Sequence, residues 1–473
     1  MASIKPICRF NALLAVFWMP AYSGRIQMPR PIRAATFVFC IGCSLIANAE
    51  APPRFPPQAV WHQNISQALT HPQSSSMIAS LNNLGGFGFG RMQIDFGMRI
   101  VRAAPGAPSR SIVGFPDASE YYAPDCEPIG TSMPVPANAA IEASTNLTCD
   151  NNNGDCHLLV VQDNVLYEAY RANASGSSGL QAQCLAIWKL DRVYQPSNRG
   201  EHCTSADAAG FPIAPLLFNA DEVYAATQIS NGDLGHAIRF ILPNARMASN
   251  DPAPNTPRRI PVYVRPASHA GGPSGPATTI PYGSRLRLRA DFPVNLYNPA
   301  AQVILRTMQR YGIVLSDGGN IALTAEDDLY TTRKWSELNI GSRVFDQSVP
   351  GTPVRVQDFS VLDTGDRIIE TYDCVRNVEP SLIIPKNLTA HFSQRRYAAR
   401  TIHLNWQDGT AKVDIYRDGI FRTSVDNVGS YSEKPGNNLR PSYMVCNFDT
   451  NNCSNAVVAL PDRYIEPPRP RPQ

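Results

Sequence analysis

Apolar and polar residues alternate through positions 93–101, placing Ile94, Phe96, Met98 and Ile100 on one face, as in a half-buried strand. Residues 157–161 form a short apolar run, Asp163-Asn164 supplies turn chemistry, and 165–170 returns as a second run. That succession predicts a hairpin. Further strands are expected at 182–190, 236–242, 260–264 and 284–290. One helical period is well punctuated: Asn298 can cap, Pro299 suits the first turn, Val303, Ile304 and Met308 form a stripe, and Gly312 ends it. A shorter helix is expected from Asp221 to about Thr227. Many short strands, few helices and frequent Pro/Gly turns predict a mainly β fold. Its main domain, residues 80–374, would be a β-sandwich or jelly-roll-like body with one or two helices.

The flanks have a different texture. Residues 1–49 contain a basic stretch from Met28 (Met-Pro-Arg-Pro-Ile-Arg), an uncharged apolar run at 34–46, and Ala47-Asn48-Ala49. These are the three parts of a secretory signal, with Met28 as the expected true start. Residues 50–79 are rich in Pro, Gln, Ser and Asn and read as a linker or a loosely docked arm, and 462–473 reads as a disordered tail. The protein is therefore expected to be secreted or periplasmic, with no membrane span. Eight of the 11 cysteines lie beyond the signal region, an even number suited to an oxidising compartment. Cys446 with Cys453, and Cys149 with Cys156, each bracket a short polar loop and are expected to pair. Cys184 with Cys203 is the expected third bridge, which leaves Cys126 with Cys374 by elimination. Zinc is the other use of cysteine, but no Cys-x-x-Cys pair occurs beyond the signal region, so no metal is expected.

Near the C terminus, residues 401–406 alternate with Ile402, Leu404 and Trp406 inward, and 413–417 runs into an Asp418-Gly419 turn. Strand-like segments follow at 429–432, 443–446 and 453–458. This pattern resembles a bacterial fibronectin type III domain over 381–461. The resemblance implies a seven-stranded sandwich, with Trp406 in its core, serving as a spacer or adhesive module. Three main-body segments resemble a group of secreted bacterial proteins that often carry a terminal module of this kind. They are Cys-Thr-Ser-Ala-Asp-Ala-Ala-Gly at 203–210, His-Ala-Ile-Arg-Phe at 236–240, and 311–320 with its Asp-Gly-Gly-Asn end. This second resemblance implies export and modular architecture.

Composition narrows the function classes. With 42 basic and 39 acidic residues the formal charge is only +3, which does not indicate nucleic-acid binding. No Gly-x-Ser-x-Gly, His-Glu-x-x-His, Walker or dinucleotide signature is present, and no cofactor is expected. Candidate catalytic groups are Asp207, His236, His269 and Asp317. The histidines exchange protons near neutrality, and two carboxyl groups flanking a glycosidic bond are what a glycosidase requires. Glu168 is a reserve carboxylate, and His157 could join the two histidines in a shared pocket. Each has an ordinary explanation too: Asp207 as a helix cap, Asp317 in a Gly-rich turn, His236 in phase with Ile238 and Phe240 in a core, His157 beside Cys156, His269 in an exposed loop. Arg285, Arg287 and Arg289 alternate on one strand face at a spacing suited to an acidic glycan, or to neighbouring carboxylates. The loop 149–156 offers oxygen atoms to Ca²⁺ but lacks the twelve-residue pattern. The expected function is a secreted carbohydrate-active protein, a polysaccharide hydrolase or lyase, whose partner is a polysaccharide or cell-surface glycan. The alternative is a non-catalytic glycan-binding or adhesion protein.

Overall fold

The computed structural model describes residues 52–461 except 116, 118–119, 150–154, 252–258, 347–351, 378–383, 394–400, 411, 435–439 and 449–452. The segments read as a signal and as a disordered tail, and most of the 149–156 loop, lie outside the described residues. The fold is mainly β, with 33% strand against 13% helix.

The principal main-body strands are, in chain order, β1 (Ile94–Met98), β2 (Ile100–Arg102), β3 (Leu158–Gln162), β4 (Val165–Tyr170), β5 (Cys184–Lys189), β6 (Ile238–Leu242), β7 (Arg285–Leu288), β8 (Ile313–Gly318), β9 (Leu323–Glu326) and β10 (Phe359–Val361). Six of them form the central sheet in the order β1-β9-β6-β8-β7-β10. It is mixed: β1 runs parallel to β9 and β6 parallel to β8, whereas β7 is antiparallel to both its neighbours. Ile313, Val314 and Leu315 of β8 are all fully buried, so this strand is covered on both faces. Helix α3 (Pro299–Arg310) provides part of the cover, beside α2 (Ala220–Thr227). The Asn298 side chain accepts from Ala301 N at 2.8 Å, which is the expected N-cap.

Strands β2-β3-β4-β5 make a second sheet, in which β3 and β4 are the expected hairpin. A third combines Ser109–Val113, Ser132–Pro134, Asn173–Ser175 and Gly179–Gln181. These two sheets share one core through Ile112, Met133, Leu158, Val160, Leu180 and Leu185.

Residues 52–79 do not behave as a linker. Phe55, Ala59, Trp61 and Ile65 are buried in the main core, Trp61 packs edge-on against Phe211, and α1 (Ser74–Asn83) packs Met77, Ile78 and Leu81 inward beside β10. The polar composition that suggested a linker belongs to the residues between these anchors.

The C-terminal strands are β11 (Lys386–Ser393), β12 (Thr401–Gln407), β13 (Lys412–Arg417), β14 (Ile420–Asp426), β15 (Ser430–Glu433), β16 (Ser442–Asn447), β17 (Val457–Val458) and β18 (Leu460–Pro461). They form two sheets, β15-β12-β11-β18 and β14-β13-β16-β17, around a separate core of Leu404, Trp406, Val413, Ile415, Tyr443 and Val445.

Among the described residues four disulfides are formed. Cys446–Cys453 and Cys149–Cys156 are as expected, but the other two pairings differ from expectation: Cys126 joins Cys184 and Cys203 joins Cys374. Backbone pairing explains the exchange. Tyr122 N and Glu127 N donate to the carbonyls of Gln183 and Leu185, which lays Cys126 alongside Cys184. Gly200–Glu201 pairs antiparallel with Val375–Arg376, which brings Cys203 to Cys374. Four disulfides fit an oxidising compartment. Among the described residues no helix is long and apolar enough to cross a membrane.

Candidate functional site

The segment 203–211 is a tight loop held by its own polar groups. Ser205 Oγ donates to Phe211 O at 2.6 Å and accepts from Asp207 N at 3.0 Å, and Asp207 Oδ1 accepts from Ala209 N at 3.1 Å. Ala209 N also donates to Ser316 O, tying the loop to β8. Gly210 has φ +73°, and a Cβ there would lie 2.1 Å from Ser268 Oγ. This position therefore requires glycine.

The loop presents Asp207 to Arg239 on β6. Arg239 Nη2 donates to Asp207 Oδ2 at 2.6 Å and lies 3.6 Å from Oδ2 of Asp317 at the end of β8. Both carboxylates thus reach one nitrogen, which places those oxygens within about 6 Å of each other, the sum of the two lengths. Arg239 Nη1 donates to Thr324 Oγ1, whereas its buried Nε has no hydrogen-bond partner among the described residues. The two aspartates differ in access: the Asp207 side chain is 0% exposed and that of Asp317 26%. Burial raises the pKa of both, against the opposing Arg239 charge.

His157, immediately before β3, lies in the field of Asp317. Its Nδ1 is 2.8 Å from Glu142 Oε2 and its Nε2 is 3.1 Å from Ala206 O. Both partners are acceptors, so both ring nitrogens carry protons and the ring is an imidazolium. Burial opposes that charge, but Glu142 outweighs it and His157 is held up to about 9. Asp95 of β1 lies in the fields of Glu142 and Arg239 and is raised by its burial.

Toward solvent the cluster carries two tyrosines. Tyr170, at the end of β4, has its ring centroid 5.3 Å from that of His157 and 6.4 Å from that of Tyr122, whose ring is tilted by only 22° from its own. Tyr122 is 37% exposed. Burial and a hydrogen bond to the exposed Asp155 raise the Tyr170 phenol well above its usual range. His269 also reaches the loop: its Nδ1 donates to Ala208 O at 2.8 Å and its ring meets that of Tyr372 edge-on. Asp207, Asp317, His157 and His269 therefore gather around one loop and one arginine.

His236 does not join them. Strand alternation places it in phase with Ile238 and Phe240, opposite to Arg239. It is fully buried, 2.7 Å from Arg54 and 3.3 Å from Glu222, with the His62 ring beside it. Glu168 is also structural here. Its Oε1 accepts from the backbone N–H of Ile213 and Ala214 at 2.8 Å each, and its Oε2 accepts from Trp188.

The arginine row is used internally. Arg285 donates to the carbonyls of Tyr311, Val60 and Gln63, and Arg287 to those of Ile65, Ser66 and Ala68. Arg289 pairs with Asp291 and Asp358. The segment read as a linker thus lies across the face read as a glycan track, and those two expectations are corrected by the same contacts. Among the described residues one group has metal-ligand spacing, Asp125 with Cys203 and Cys374, but its two sulfurs are joined in a disulfide.

Arg239, Glu142, Asp95, Tyr122 and Tyr170 were not singled out by the sequence. Period-two alternation was the available signal for Arg239: it sets the residue against His236 in a run otherwise apolar. Comparison with family models, curated proteins and solved structures returns no match for the chain.

Proposed function

We propose that this protein is a secreted carbohydrate-active protein that seats a neutral polysaccharide over Tyr122 and Tyr170 and hydrolyses it with Asp317 as the general acid and the neighbouring exposed Asp155 as the carboxylate that activates water. The observation that carries this reading is the convergence of Asp317, His157 and the two partly stacked tyrosines on one partly open face. Sugar rings stack their C–H faces on aromatic rings while their hydroxyls donate to carboxylates, and here Asp317 and Asp155 supply the acceptors. Elevated carboxyl pKa values beside a fixed cation suit proton transfer. Elimination is less well supported, because Arg239 is capped by its own carboxylates and does not offer a charge to a uronate. The signal-like N terminus and the disulfides support export. The separate C-terminal sandwich, in which β15-β12-β11 and β14-β13-β16-β17 follow the strand order of a fibronectin type III module with β18 added beside β11, supports a spacer or adhesive role for that part.

The test is incubation with a panel of neutral and acidic polysaccharides, reading new reducing ends and the ultraviolet absorbance of unsaturated uronates. Reducing ends without unsaturated product are expected, and Asp317→Asn should lower the rate by at least about a hundredfold. A second reading, binding without turnover, is favoured by the sealing of Asp207, which leaves one accessible carboxylate of the pair. Retention on a glycan with no product from any member of the panel would replace the first reading with the second.

A further inference from the structure

A pocket of about 680 Å³ lies away from the Asp207–Asp317 cluster and is lined by Phe55, Pro57, Val60, Leu362 and Arg285, among others. It includes none of Asp207, Asp317, His157 or Tyr122. Its volume falls within the range typical of small-molecule sites. The wall is largely apolar and aromatic, which makes Arg285 the informative residue.

Three arginines are almost completely buried among the described residues: Arg199, Arg239 and Arg285. Arg199 faces Glu127 at 2.6 Å and Arg239 faces Asp207 at 2.6 Å. Arg285, 2% exposed, pairs with no carboxylate among the described residues; it donates to the carbonyls of Tyr311, Val60 and Gln63. Those three bonds use three of its five N–H groups and leave one on each terminal nitrogen. Burial alone pulls the guanidinium down to about 10, so it remains charged at neutral pH. The other arginine on the pocket wall, Arg265, is already paired with Glu201. A buried, uncompensated charge is costly unless something of opposite sign meets it.

We propose that this pocket binds an amphipathic carboxylate, a small aryl- or alkyl-carboxylic acid, with its acid group on Arg285 and its apolar body against Phe55, Pro57 and Leu362. A guanidinium with one free N–H on each terminal nitrogen matches the two oxygens of a carboxylate. The wall also carries polar groups, Gln58, Gln195, Asn198, Asp363 and Thr364 among them, but Phe55, Pro57 and Leu362 favour an apolar body over a sugar ring, and the Asp363 carboxylate on the same wall leaves Arg285 as the place for the acid group.

The experiment is calorimetric titration of the purified full chain with phenylpropionate, octanoate, their primary amides, and glucuronate. Both acids are expected to bind, and each amide should bind more weakly by about tenfold to a hundredfold. Glucuronate is expected to give no binding. Val60→Trp, which places bulk at a partly exposed position of the wall, should abolish the signal of both acids. Because Arg285 also ties three carbonyls, its substitution would disturb the fold as well as the pocket, and the acid–amide comparison on the unmodified chain therefore decides. Amides as strong as acids, or no acid binding up to its solubility limit, would overturn the proposal. Glucuronate binding as well as phenylpropionate would overturn the apolar part of it.

Discussion

His157 depends for its proton on one neighbour. The Glu142 carboxylate accepts from both its backbone N–H, at 3.0 Å, and its Nδ1, at 2.8 Å, and overrides a burial that favours the neutral ring. Glu142→Gln keeps the shape and removes the charge. The His157 titration followed by NMR should then move from about 9 to below the ordinary 6.5, because burial acts with little opposition. A midpoint left near 9 would assign the proton to the fields of Asp317 and Asp155 instead. At this scale Asp207 and Asp317 could be picked out because each sits in a polar or Gly-rich turn, where carboxylates are conspicuous. Glu142 and Tyr122 could not, because they lie outside regular strands and their importance comes from neighbours distant in the chain.

Helix α3 shows how much one element can declare. Its cap, its first-turn proline, its stripe and its terminal glycine are all local, and local features are what a sequence displays. Gly312 follows the helix with φ +74°, and a Cβ there would lie 2.5 Å from Leu286 O on β7. Gly312→Ala should therefore cost about 1–3 kcal/mol from the backbone strain alone, more than the roughly 1 kcal/mol expected of Asn298→Ala. Urea unfolding of the two variants checks the order, and equal midpoints would refute it. The arm over residues 52–68 was illegible for the opposite reason. It is fastened through its own carbonyls to Arg285 and Arg287, and backbone acceptors leave no trace in a side-chain pattern.

Across the whole molecule the buried ionisable groups set a pH dependence. His157 is raised to about 9, so its contribution is full below about 6.5 and is lost as pH rises through 9. Burial raises Glu168 and Glu326 to about 7 from 4.5, so the native state holds their protons more tightly and loses stability as pH rises across that interval. His62 opposes them: burial lowers it to about 4, and stability falls as pH drops from 6.5 toward that value. Asp207 and Asp317, also raised by burial, act in the same sense as the glutamates, and His236, lowered by burial, acts with His62. The balance predicts a higher thermal unfolding midpoint in mildly acidic than in mildly alkaline buffer, by an amount on the order of a few kcal/mol in stability. A flat or reversed profile would contradict the assignment. The global pairing of cysteines belongs to this scale as well. Two bridges close loops of 7 residues and could be read from spacing, whereas the separations of 58 and 171 are decided by which strands become neighbours.

The longest of those bridges also directs mechanical load. Cys374 closes the main body on the side leading to the C-terminal sandwich, and its partner Cys203 opens the loop that carries Asp207. If the sandwich grips a surface, tension entering along the chain crosses the sulfur bridge and bypasses everything between the two cysteines. Strands β6 to β10 are thereby shielded from being peeled away, and the pull arrives at the base of the Asp207 loop.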